Sequence, residues 1–251
     1  MRPLPLLAVL LALSGPAAGA DEAPTIVGGE LSARWPGIGA LMHGPLFGCT
    51  AFLVGPDLVI TAAHCIGSDT VAPPDVFFTG PDRDHVLNSY PIATITPHPA
   101  YDPATAAFDL AVIRLAEPAV EAVIEVRTTP LTNADIGLPV WMAGYGRDEN
   151  AQSERKRIGA TTIAELIPDN VVVDGLPQGC FGDSGSPLFT AGGGAQPVAL
   201  GVASFISHEN CRGSTYYQRI DRALPFLLGF EGLCVEGSLC SDALFADDFG
   251  G

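Results

Sequence analysis

The chain has 251 residues, 47% of them hydrophobic, and carries 12 basic against 28 acidic side chains for a net charge of −16. A balance so acidic argues against nucleic acid and anionic membrane surfaces as partners, because both need a basic face. In chain order, Arg2, the apolar stretch Leu4 to Leu13 and the small-residue site Ala18-Gly19-Ala20 read as a secretory signal peptide over 1–20, too short for a membrane span. The expected compartment is therefore secreted, extracellular or periplasmic. Cutting after Ala20 leaves Asp21-Glu22-Ala23-Pro24-Thr25, read as a propeptide over 21–25. Loss of both pieces leaves 11 basic and 26 acidic side chains, a net charge of −15.

From Ile26 onward, short apolar or alternating runs are broken by glycine and proline. Ile38 to Met42, Thr50 to Val54, Leu58 to Thr61, Leu110 to Leu115, Val140 to Ala143, Val171 to Val173 and Val198 to Phe205 are expected as strands, a pattern that suits barrels or a sandwich. Periodicity leaves those two open. Only Asp221 to Phe230, with Ile220, Leu224, Leu227 and Leu228 in helical spacing, reads as an amphipathic helix. The cluster Glu154-Arg155-Lys156-Arg157 contains the single lysine and reads as a solvated loop. Six cysteines in an exported chain favour disulfides, and no CxxC pair or histidine-rich spacing points to a metal.

Four segments carry chemistry. Gly182-Asp183-Ser184-Gly185-Ser186-Pro187 holds a serine between glycines, where the backbone can turn tightly and present the hydroxyl. Thr61-Ala62-Ala63-His64-Cys65 supplies a histidine, Phe108-Asp109-Leu110 opens an apolar run with a lone carboxylate, and Ile26-Val27-Gly28-Gly29 follows a plausible cleavage point. A serine hydroxyl is a poor nucleophile at neutral pH and needs a base such as His64, whose tautomer a buried carboxylate such as Asp109 would fix. Taken singly, each has a plainer reading: a structural histidine, a turn aspartate and a loop serine.

Together, in the order His64, Asp109, Ser184, these segments resemble the trypsin-like (chymotrypsin-fold) serine proteases. The resemblance spans roughly Ile26 to Phe230. It implies an all-β fold of two packed six-stranded antiparallel β-barrels with a C-terminal helix, a peptidase domain over 26–233, and a C-terminal extension over 234–251 with a small disulfide loop and an acidic tail. It also implies Ser184 as nucleophile, His64 as base and Asp109 as orienter, with histidine and aspartate from one barrel and serine from the next. The amides of Gly182 and Ser184 would form the oxyanion hole. A new terminus at Ile26 would pair with Asp183, which makes the chain a zymogen, and Thr25 before the cut argues against a trypsin-like activator.

Further implications concern bridges, pocket and partners. Cys49 would pair with Cys65 and Cys180 with Cys211, while exclusion and proximity pair Cys234 with Cys240. The pocket floor falls at Gln178, uncharged, which disfavours a preference for Arg or Lys. Ser204, Phe205, Ile206 and Thr215 would form the walls, with Ile206 and Thr215 making the pocket shallow and suited to small aliphatic side chains; Ser204 would also hydrogen-bond Asp109. No cofactor is implied. The expected partners are a protein or peptide substrate, protease inhibitors and an activating protease, around a monomer. Ser186 stands where relatives carry a second glycine, and Ala143-Gly144-Tyr145-Gly146 where they often read GWG.

Overall fold

A computed structural model of the protein describes residues 26–67, 72–191 and 196–237. The signal peptide and propeptide expected at 1–25, the acidic tail and Cys240, the expected partner of Cys234, lie outside the described residues.

After a short β1 (Glu30–Leu31), six strands form a closed barrel: β2 (Ile38–His43), β3 (Leu46–Leu53), β4 (Leu58–Thr61), β5 (Val76–Thr79), β6 (Asn88–Pro97) and β7 (Ala111–Leu115). They pair in the order β2-β3-β4-β7-β6-β5, and β5 closes onto β2. The second half comprises β8 (Glu125–Val126), β9 (Pro139–Gly144), β10 (Arg157–Thr162), β11 (Glu165–Leu166), β12 (Asn170–Asp174), β13 (Pro187–Thr190), β14 (Val198–Ile206) and β15 (Ser214–Arg219). Together with β1 these make a nine-stranded sheet in the order β1-β10-β9-β13-β14-β15-β12-β11, with β8 added beside β14. Strand pairing does not return from β11 to the other end of this sheet, so the second expected six-stranded barrel is a half-barrel. The two-residue β11 offers too few ladder groups to close it.

Five of the seven expected strands fall wholly within observed ones, and the other two overrun by one residue each, Val54 past β3 and Leu110 before β7. The reason is visible in burial. Ile38, Phe52, Leu58, Ile60 and Val112 from the barrel meet Ala143, Ile158, Phe189 and Val202 from the sheet in one shared apolar cluster. Separate cores fill the two halves, around Leu41, Phe77 and Ile113 on one side and Val140, Met142, Val171 and Leu188 on the other. Helix α1 (Ile220–Leu227) buries Ile220, Ala223 and Leu227, and these join the shared cluster between the halves. Leu228, expected on the apolar face, is 59% exposed at the helix end.

The basic cluster is where the sequence reading fails. Lys156 is buried, and its Nζ donates to the carbonyls of Trp35 and Ile38, both at 3.3 Å. Arg157 is buried too and pairs with Asp148. Pairing of β10 with β9 draws this segment inside, an event that local polarity cannot announce.

Burial pushes the Lys156 ammonium down to about 8, against an attraction from Glu121 that only partly offsets it. A lysine whose folded value lies below its unfolded one binds fewer protons when folded, so stability rises as pH climbs from about 8 to about 10.4. At pH 7 the charged side chain costs the fold about 3 kcal/mol on this scale. Lys156→Met leaves Trp35 O its bond from Ile38 N–H, whereas Ile38 O keeps only a secondary share of the Tyr145 hydroxyl, whose one proton goes to Gly80 O at the shorter distance. The expected result is a higher urea midpoint at pH 7 for Lys156→Met, with the gap to the parent closing as pH approaches 10. A gap independent of pH contradicts this account.

Candidate active site

His64 sits on a single 3₁₀ turn, Ala63–Cys65, directly after β4, and the Cys49–Cys65 disulfide ties that turn to β3. Asp109 precedes β7, which pairs with β4, so adjacent strands deliver both residues to one barrel rim. The Asp109 carboxylate is almost wholly buried and accepts three bonds. His64 Nδ1 lies 2.7 Å from Oδ2, the His64 backbone N–H donates to Oδ1 at 2.9 Å, and the Ser204 hydroxyl donates to Oδ2 at 2.5 Å. A carboxylate oxygen facing the ring directs the proton of a neutral imidazole onto Nδ1. The other ring nitrogen is left with its lone pair free.

Ser184 comes from the other half, in the loop before β13, and shares with His64 a cavity of about 360 Å³. No hydrogen bond joins its Oγ to the His64 ring, a common state for such pairs before a substrate tightens them. The loop is nevertheless held from across the interface. Thr50 on β3 donates its N–H to Ser184 O at 2.9 Å and its hydroxyl to Gly182 O at 2.9 Å. Tyr145 N–H donates to Thr50 Oγ1 at 3.1 Å, and the Tyr145 hydroxyl donates to Gly80 O at 2.5 Å. The sequence reading missed Thr50 and noted Tyr145 only as part of the segment where relatives often read GWG. A polar Thr50 at the head of the apolar run TAFLV was the available signal.

The amides of Gly182 and Ser184 have no acceptor among the described residues, whereas those of Asp183, Gly185 and Ser186 are all bonded. Gly182 has φ +98, a left-handed conformation, and a Cβ there would lie 2.9 Å from the Phe47 ring. Ser186 is buried, and its hydroxyl lacks a partner, so the side chain that replaces a glycine here contributes nothing polar.

Asp183 is fully buried. Its oxygens accept from Gly146 N–H at 2.8 Å and Cys180 N–H at 2.9 Å, and burial pushes the carboxyl up to about 6. Ile26 is buried in the core of the same half, and Val27 bridges Gln178, but no ion pair joins Ile26 to Asp183.

The cavity wall includes Ser204, Phe205, Ile206 and Thr215. Gln178 is not part of it. The Thr215 hydroxyl accepts from Gly179 N–H at 3.0 Å, and Gln178 Oε1 accepts from Gly213 N–H at 2.9 Å. Gln178 instead lines a neighbouring cleft of about 850 Å³. Glu209, which the sequence reading did not single out, stands exposed where cavity and cleft meet. Cys180 and Cys211 form the second disulfide of the described residues and brace this wall.

Comparison with known proteins matches the family model described as Trypsin to residues 26–227. Bovine duodenase-1 is 28% identical over 84% of this chain and 90% of that protein. The bovine suppressor of tumorigenicity 14 protein homolog is also 28% identical, over 72% of this chain but only 25% of its own length. Human heparin binding protein aligns in structure with a TM-score of 0.66 at 22% identity, covering 81% of this chain and 96% of that one, a likeness of fold.

Proposed function

The chain belongs to the trypsin family of serine proteases, and on that premise we propose that it is a secreted serine endopeptidase, made as a zymogen, that cleaves after small aliphatic residues. The observation that carries this reading is the buried Asp109 carboxylate, bonded to His64 Nδ1 at 2.7 Å, with Ser184 lining the same cavity. In the proposed cycle His64 takes the Ser184 proton through Nε2 as Oγ attacks the scissile carbonyl. The oxyanion accepts from the unpaired amides of Gly182 and Ser184, the imidazolium protonates the leaving amine, and water then cleaves the acyl-enzyme by the same steps in reverse. No step requires a metal or cofactor. Two disulfides fit an oxidising compartment.

A cavity lined by Ile206 and Thr215, both bulkier than glycine, supports small substrate side chains. Protein or peptide substrates, an activating protease and inhibitors that fill the cavity are the partners this chemistry calls for, with a monomer as the working unit. The heparin-binding neighbour suggests a second reading, a catalytically silent binding protein. A net charge of −16 opposes heparin itself as the ligand.

The test is hydrolysis of a mixed peptide library by protein that begins at Ile26, beside Ser184→Ala and beside the form that keeps Asp21 to Thr25. Activity confined to the Ile26 form, absent in Ser184→Ala and directed at small aliphatic residues, is expected. Thr215→Gly should then open the cavity and raise relative cleavage after large residues about tenfold. A folded Ile26 form that neither cleaves nor reacts with a covalent serine-directed reagent sinks the enzyme reading in favour of the binding protein.

A further inference from the structure

Asp183 is a buried carboxylate that accepts only backbone N–H groups, yet a second charge is built in beside it. Arg157 on β10 lies directly opposite Gly144 on β9, and residues so paired carry their side chains on the same face of the sheet. A Cβ on Gly144 would lie 2.2 Å from Asp183 Oδ1, so the Asp183 carboxylate occupies that same face. The Arg157 guanidinium is buried and spends only Nη2 on Asp148, at 3.3 Å, while Nε and Nη1 have no partner. Asp148 itself is occupied by the N–H groups of Asn150 and Gln152. Attraction from Arg157 pulls the Asp183 carboxyl down against the effect of burial.

We infer that Arg157 is a positioning residue, a cation present before any cleavage that balances Asp183 and keeps the Gly182–Ser184 loop partly ordered in the uncut chain. This rests on the activation reading above, in which a new ammonium at Ile26 later takes over Asp183 and leaves Arg157 to Asp148. The uncut chain then keeps this loop partly formed before cleavage, without the activity that the Ile26 form gains. A guanidinium with two unspent donors on the carboxylate's own face is what distinguishes this arrangement from a simple anchor for the 148–152 loop.

Hydrogen exchange across residues 179–186 tests it, in chains that start at Asp21 or at Ile26 and carry Ser184→Ala to prevent self-cleavage. Arg157→Gln should speed exchange in the Asp21 form by about tenfold or more, Arg157→Lys should restore it to within about threefold, and the Ile26 form should respond far less. Asp148→Asn, which frees the loop but keeps the cation, should leave exchange at 179–186 within about threefold of the parent. Equal acceleration by Arg157→Gln in both forms, none in the Asp21 form, or acceleration by Asp148→Asn matching it overturns the inference. If Arg157→Gln does not fold, Arg157→Lys decides alone: unchanged exchange supports the charge role, and acceleration of about tenfold refutes it. Failure of the enzyme reading is separate, since it appears as absent covalent labelling of Ser184 in the Ile26 form whatever the exchange data show.

Discussion

Asp109→Asn in the Ile26 form is expected to lower kcat toward a peptide substrate about 10⁴-fold at pH 7, with KM changed by less than about threefold. Asp109 touches no substrate, so binding is spared. The loss arises because Oδ2 now accepts from both His64 and Ser204. An amide in that place either aims its NH₂ at His64 Nδ1, which forces the proton to Nε2 and removes the lone pair that Ser184 needs, or aims it at the His64 backbone N–H and clashes donor against donor. The imidazolium of the transition state also loses its buried counter-charge. Activity should recover partly at high pH, where hydroxide can replace the missing base. A loss smaller than about tenfold means that Asp109 does not orient His64. Ser204→Ala should cost far less, since two of the three bonds to the carboxylate remain.

Gly185→Ala is expected to destabilise the fold by about 2–5 kcal/mol and to reduce labelling of Ser184 by a serine-directed reagent in whatever protein stays folded. Gly185 has φ +83, a conformation that L side chains rarely adopt. A Cβ there would lie 2.2 Å from Thr61 Oγ1 and 2.3 Å from Thr50 O. Those atoms belong to β4 and β3 of the barrel, and Thr61 Oγ1 is itself bonded to Thr50 O at 2.9 Å, so neither gives way cheaply. Relief must come from the nucleophile loop, which would lose the bond from Thr50 N–H to Ser184 O. Ser186→Gly, one residue on, should be neutral or stabilising, because it removes a buried hydroxyl without a partner. Thermal melting of the three proteins separates these outcomes, and an alanine at 185 that melts with the parent would show that the loop is not seated as described.

Much of the site was legible because its signals are local. A serine between glycines, a histidine beside a cysteine and an aspartate at the head of an apolar strand each state a requirement within a few residues, and their order along the chain joined them. The strands were equally legible, since burial on a sheet imposes an apolar rhythm that a short window contains. Gln178 shows where this ends. The resemblance put it on the pocket floor, but Gln178 lines the neighbouring cleft, while Thr215, 37 residues farther along the chain, lines the cavity.

Sequence by itself determined the strand-rich character and nominated His64, Asp109 and Ser184, matters of residue type and order, while the family resemblance supplied the two disulfide pairings that the structure shows. Tertiary structure alone decided that the second half stays an open sheet, that Thr50 and Tyr145 hold the Gly182–Ser184 loop, and that Lys156 and Arg157 are buried charges and not a solvated cluster. Those outcomes depend on which strand lies beside which. Neighbours across a sheet are set by backbone pairing between segments far apart in the chain, and no local run of residues records who its neighbour will be.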